Sequence, residues 1–141
     1  GDGHTKKIVL LGGAGEVGRL SEIARGSAGI KILAGQGPLA FSMAAVRDAS
    51  LVVANDSAML HAATGFGVPL VGLFGPTDAS ISGPFDRVAD CITSPVADPA
   101  LHYRDPKIGD RVMRAITIAS VLAASLARLL AAATTASEGG L

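Results

Sequence analysis

The chain has 141 residues, with 12 Lys and Arg against 12 Asp and Glu, so its formal net charge is zero. Hydrophobic residues make up 49% and charged residues 17%, which excludes a disordered chain unable to bury enough surface to offset its ordering entropy. The even charge balance argues against nucleic acid as a partner, because neutralising phosphates needs a basic surplus. A lone cysteine, Cys91, excludes an internal disulfide and a Cys-rich zinc site and fits a reducing compartment.

Taken in chain order, residues 1–7 hold no signal-peptide hydrophobic region. Residues 6–11 (KKIVLL) read as a buried strand and residues 16–27 as a helix with Leu20 and Ile23 inward. Residues 29–34 (GIKILA) are a second strand, and Pro38 opens a helix running to about Asp48. Residues 50–54 (SLVVA) form a third strand, residues 57–66 a short helix ended by Gly65 and Gly67, and residues 69–74 (PLVGLF) a fourth strand. Residues 75–110 are irregular and Pro-rich, with one more short strand expected at residues 88–92. A closing helix is expected from about Asp110 to Ala133, with Ile118, Leu122, Leu126, Leu129 and Leu130 on one apolar face and Thr117, Ser120, Ser125 and Arg128 opposite. That pattern predicts an amphipathic helix packed on a core, not a membrane span.

This alternation predicts an α/β fold, a Rossmann-like parallel sheet with helices on both faces. One domain is expected over residues 1–134, with a flexible tail at residues 135–141. A soluble cytoplasmic protein with room for peripheral membrane contact is expected. In such sheets the ligand sits beyond the carboxyl ends of the strands. The loops of interest are therefore residues 12–16, 55–61 and 75–78.

Gly13-Ala14-Gly15-Glu16-Val17-Gly18 fits G-x-G-x-x-G after a strand and before a helix. Its backbone amides are placed for a pyrophosphate, which makes an NAD-binding oxidoreductase domain an alternative function. Against it, a dinucleotide site calls for an acid about 20 residues on, and the second strand ends Leu33-Ala34-Gly35-Gln36. The glycines also have a plain role, turning a strand into a helix.

Residues 49–78 carry more. A strand delivers Asn55-Asp56-Ser57 to the sheet end, where the free N–H groups of the next helix attract phosphate. Ser57 either caps that helix or donates its hydroxyl to a phosphate oxygen. His61, one turn on, is either a structural histidine or a hydrogen-bond donor to a diphosphate. Asp56 suits sugar hydroxyls or the loop backbone. Gly75-Pro76-Thr77-Asp78 adds a rigid turn and another hydroxyl. Converging at one sheet edge, these groups point to a phosphate-bearing ligand.

These residues resemble glycosyltransferase family 9, the ADP-heptose:lipopolysaccharide heptosyltransferases. The matching pieces are Asp56-Ser57-Ala58-Met59-Leu60-His61, Phe74-Gly75-Pro76-Thr77-Asp78 and Gly12-Gly13-Ala14-Gly15-Glu16. The resemblance implies one half of a GT-B enzyme, the half that binds the ADP-sugar donor, with Asp56, Ser57, Ala58 and His61 lining the diphosphate and sugar pocket. Gly13, Glu16 and Thr77 join them as substrate-binding residues, Glu16 near the nucleoside. It implies transfer of heptose to a lipopolysaccharide core acceptor held by an N-terminal domain outside this chain, with no cofactor, no metal and no catalytic base within these residues. Such an enzyme works in the cytoplasm or at the inner face of the inner membrane. Ala58 stands where the family has Gly, and family cysteines after the FGPTD turn fall at Ala97, Ala100 and Val112. A domain that keeps the fold without activity is the third reading.

Overall fold

Short runs of Ile, Val and Leu form parallel strands, and turns rich in Gly carry most of them into helices. The computed structural model describes residues 7–96 and 105–138. The chain divides into two compact units, Gly1–Ala45 and Val46–Leu141.

In the first unit β1 (Ile8–Leu10) pairs in parallel with β2 (Ile30–Ile32), Ile8 opposite Ile30. A 3-10 turn, Ala14–Glu16, leads into α1 (Val17–Ala24) between them. Leu20 is half-buried as expected. Ile23 is not inward: it is 57% exposed, and Ile8 of the expected buried strand is 56% exposed. A two-stranded sheet leaves apolar side chains uncovered, because a sheet this small has few neighbours to pack on it. Lys6, the first residue of that expected strand, lies outside the described residues. α2 (Leu39–Arg47) follows Pro38.

The second unit is a parallel sheet in the order β3 (Val52–Asn55), β4 (Leu70–Phe74), β5 (Cys91–Thr93). Ladder bonds therefore form a two-stranded and a three-stranded parallel sheet where the sequence predicted one. α3 (Ala58–Gly65) connects β3 to β4 and ends before Gly67, whose φ of 69° only glycine adopts freely. Leu60, Ala63, Leu70, Val71, Phe74 and Val112 are buried. Each large apolar side chain there contributes about 1.5–3 kcal/mol by leaving water. Gly72 on β4 faces Cys91, and a Cβ there would lie 2.7 Å from Cys91 Sγ.

Three expectations change in this unit. Residues 88–90 close a 3-10 turn, and the strand begins only at Cys91. A short helix, α4 (Ala79–Ser82), forms after the FGPTD turn because the Asp78 side chain accepts from Ser80 N at 2.8 Å and caps it. The closing helix is two: α5 (Pro106–Arg114) and α6 (Ile118–Glu138). Asp105 caps α5, with Pro106 in its first turn. Thr117 Oγ1 accepts from Ser120 N at 3.1 Å and starts α6 afresh. α6 runs past Ala133, so residues 135–138 of the expected tail are helical, while residues 139–141 lie outside the description. Ala97 and Ala100 also lie outside it; Val112 is buried on α5.

The apolar face of α6 is rotated from the expected one. Val121, Ala124, Ser125, Arg128, Leu129 and Ala132 form its half-buried stripe. Ile118, Leu122, Leu126 and Leu130 are exposed, Ile118 by 88%. Arg128, expected on the solvent side, pairs with Asp90 Oδ1 at 2.6 Å and donates to the Ala89 carbonyl at 3.2 Å. A guanidinium on the packed face is tolerable because its charge is met by a carboxylate. By length and composition alone, residues Ile118–Ser137 would suffice to cross a membrane.

Candidate functional site

The register of the second sheet sets Asn55 opposite Leu73. Asp56 and the Gly75–Pro76–Thr77 turn therefore leave the sheet at the same, carboxyl, end. A cleft of about 260 Å³ opens there, lined by Asn55, Asp56, Leu73, Gly75, Pro76, Thr77, Gly109 and Met113. Asp56 and Thr77, both expected site residues, meet in it and are half-buried.

Buried Ser94 brings α5 to this end. Its amide donates to Phe74 O at 2.7 Å and its hydroxyl to Val112 O at 2.7 Å. Met113 then lies against the turn so closely that a Cβ on Gly75 would collide with Met113 Sδ. Gly109 sits in the middle of α5, where a Cβ would lie 3.9 Å from Pro76 Cγ. Gly109 and Met113 escaped sequence reasoning. Gly109 falls in the stretch expected to be irregular, and only the structure places it inside a helix, where a glycine costs about 1 kcal/mol relative to Ala.

Ser57 precedes α3 with extended backbone, φ −156° and ψ 164°, and its side chain makes no capping bond. Its hydroxyl is thus not used by the helix it starts. Leu60 N and His61 N donate to Ser57 O, at 3.1 and 3.4 Å. The N–H groups of Ala58 and Met59 have no intrahelical acceptor. Ala58 and His61 are exposed, and neither these two nor Ser57 lines the cleft. His61 is therefore not the buried structural histidine that the sequence left open. Among the described residues its ring makes no hydrogen bond.

Across the cleft, Asp78 accepts from both the Ser80 amide and the Ser80 hydroxyl, at 2.8 and 2.7 Å. The hydroxyl and the amide stabilise the charged carboxylate and hold its pKa below the ordinary range. Ser82 Oγ donates to Asp56 Oδ2 at 2.7 Å. Asp56 is thereby fixed from outside its own loop.

In the first unit, Gly13 and Glu16 meet each other: Gly13 N donates to Glu16 Oε2 at 2.8 Å. A Cβ on Gly12 would lie 2.8 Å from the same oxygen, so a side chain there would push the Glu16 carboxylate aside. The Gly-rich loop thus holds a carboxylate where a dinucleotide site offers a free amide to a pyrophosphate. That arrangement disfavours phosphate at this loop on charge alone.

A larger groove of about 390 Å³ adjoins the cleft through Leu73 and Met113. Ser125 is its sole polar lining residue, whereas Asn55, Asp56 and Thr77 line the smaller cleft. Among the described residues no three His, Cys, Asp or Glu side chains gather to hold a metal.

Residues 3–107 match the model of a protein family described as glycosyltransferase family 9 (heptosyltransferase). Among solved structures the chain is similar to E. coli ADP-heptose LPS heptosyltransferase II, at 23% identity and a TM-score of 0.66. The likeness covers 88% of this chain and 36% of that one, so this chain spans about a third of that protein's length. Its fold is α/β and similar to the heptosyltransferase fold. No curated protein matches.

Proposed function

We propose, from the premise that this chain belongs to glycosyltransferase family 9 (heptosyltransferase), that its second unit binds the nucleotide-sugar donor of a glycosyl transfer. The observation that carries this reading is the cleft at the carboxyl ends of β3 and β4, where Asp56 and Thr77 meet beside the start of α3. The donor is an ADP-heptose-like nucleotide sugar and the acceptor a lipopolysaccharide core sugar; the name of the similar solved structure supports both.

The parts divide by chemistry. The amides of Ala58 and Met59, the Ser57 hydroxyl and the exposed His61 ring meet the diphosphate. Donors aimed at the departing ADP stabilise the charge that grows on it as the glycosidic bond breaks. Asp56 accepts from sugar hydroxyls, and the Thr77 hydroxyl adds a contact from the opposite turn. Gly13 and Glu16 shape the strand-to-helix turn of the first unit. Ala58 presents a methyl to solvent at the first residue of α3, and a diphosphate passes beside it.

Taken alone, these residues bind donor without transferring sugar. Holding donor and acceptor together contributes about 7–11 kcal/mol to such a reaction, and the chain spans only part of the similar enzyme. A nucleotide-sugar donor also places the protein in the cytoplasm, where a peripheral position at the inner membrane brings it to its acceptor.

Parallel calorimetric titration with ADP, ADP-heptose and NADH tests the reading. It expects ADP and ADP-heptose to bind and NADH to bind more weakly. NADH binding more tightly than ADP-heptose, or turnover of ADP-heptose onto a core acceptor by these 141 residues alone, would contradict it.

A further inference from the structure

Asp56 lies on the loop after β3, and its carboxylate is not held by that loop. Oδ2 accepts from the hydroxyl of Ser82, 2.7 Å away and 26 residues on in sequence. Among the described residues Oδ1 has no hydrogen-bond partner. Ser82 is itself rigidly placed. It is the last residue of α4, and its amide donates to Asp78 O at 3.0 Å. Asp78 caps the other end of the same helix through Ser80. Gly83 completes the clip, since a Cβ there would collide with the Ala79 carbonyl oxygen.

A hydroxyl has one hydrogen to donate. Ser82 Oγ also lies 3.2 Å from Asp78 O, but the shorter bond to a charged carboxylate is the stronger. The two strand-end loops of the cleft are therefore joined through one side-chain hydrogen bond. A half-buried carboxylate that would otherwise rotate keeps one oxygen occupied and the other available to a ligand.

We propose that Ser82 is a positioning residue of the donor site. It orients Asp56 so that the free oxygen accepts hydroxyl groups of the donor's sugar, and it thereby governs recognition of the sugar rather than of the nucleotide. This role rests on the donor-site reading above and goes beyond it by splitting that site into a sugar part and a nucleotide part. Ser82 acts through Asp56 and touches no ligand itself. Nucleotide lacking the sugar makes no use of the bond.

The test is calorimetric titration of the full chain with ADP and with ADP-heptose, for wild type, Ser82→Ala, Ser82→Thr, Asp56→Asn and the Ser82→Ala/Asp56→Asn pair. The expected result is an about tenfold loss of ADP-heptose affinity in Ser82→Ala, the size of one charge-assisted hydrogen bond. ADP affinity stays within about twofold, Ser82→Thr restores sugar binding, and Ser82→Ala adds nothing on the Asp56→Asn background. Equal losses for ADP and ADP-heptose would show that Ser82 only holds the loops together, and would overturn the proposal. So would unchanged ADP-heptose affinity in Ser82→Ala. Wild-type protein that binds neither ligand overturns the donor-site reading itself, and this role with it.

Discussion

The guanidinium of Arg128 lies 2.6 Å from the carboxylate of Asp90, and this pair sits on the face of α6 that meets the rest of its unit. Asp90 also accepts from Arg87. One carboxylate thus serves two arginines at the start of β5. The apolar ridge of Ile118, Leu122, Leu126 and Leu130 is left in solvent.

Two substitutions on that ridge and one beneath it separate the faces. Ile118→Lys and Leu130→Lys are expected to change stability by no more than about 0.5 kcal/mol, as exposed positions do. Asp90→Ala is expected to cost about 1–3 kcal/mol, because it leaves two arginines without their partner. Urea denaturation measures both. Unfolding of the Lys variants with an intact Asp90→Ala protein would place the ridge, and not Arg128, in the core.

What the sequence showed and hid follows from the range of each interaction. β3, α3 and β4 lie within a residue or two of their expected positions, because apolar runs and the Gly67 turn are local signals. The packed face of α6 is not legible in periodicity, which ranks side chains by polarity and does not register that Arg128 has Asp90 to meet. The split at residues 115–117 was readable in part, since Thr117 is a good capping residue, but the unbroken alanine and leucine pattern outweighed it. At the site, Asp56 and Thr77 were legible from their motifs. Ser82, Gly109 and Met113 were not, because only the packing of α4 and α5 on the strand ends brings them there.

Asp78 gives a pH dependence. Its carboxyl is held below the ordinary range by the Ser80 hydroxyl and amide, so the folded state binds that proton less readily than the unfolded chain. The stabilisation is present above the unfolded pKa and is lost as pH falls through the folded value. Asp78→Ala is therefore expected to melt below wild type at pH 7, with the gap closing as the pH drops below about 4. Thermal scans across this range check it; a gap that persists unchanged in acid would contradict the capping role.

Burial and the neighbouring Asp90 charge push the Cys91 thiol up from its ordinary value. Only the thiolate attacks an alkylating agent. Iodoacetamide is expected to label Cys91 more slowly than a free cysteine peptide at pH 7.5, with the rise in rate displaced to higher pH than the peptide's. Labelling as fast as the peptide at neutral pH would show the thiol to be open.

His61 and Glu16 part in a single binding series. His61→Ala is expected to leave the melting temperature unchanged, since the ring is exposed. ADP affinity should fall roughly tenfold to a hundredfold, the range of a charge-assisted bond. Glu16→Gln is expected to leave ADP affinity within about twofold, because its carboxylate already serves Gly13. A tenfold loss in Glu16→Gln would place that side chain on the nucleoside.

The most direct measurement is amide chemical-shift mapping of the chain during titration with ADP. Saturable shifts are expected at the strand ends and α3 start, centred on Asn55 to Met59, Gly75 and Thr77, with Gly109 and Met113 following. Shifts confined to α6, or none at millimolar ADP, would contradict a donor site at this cleft.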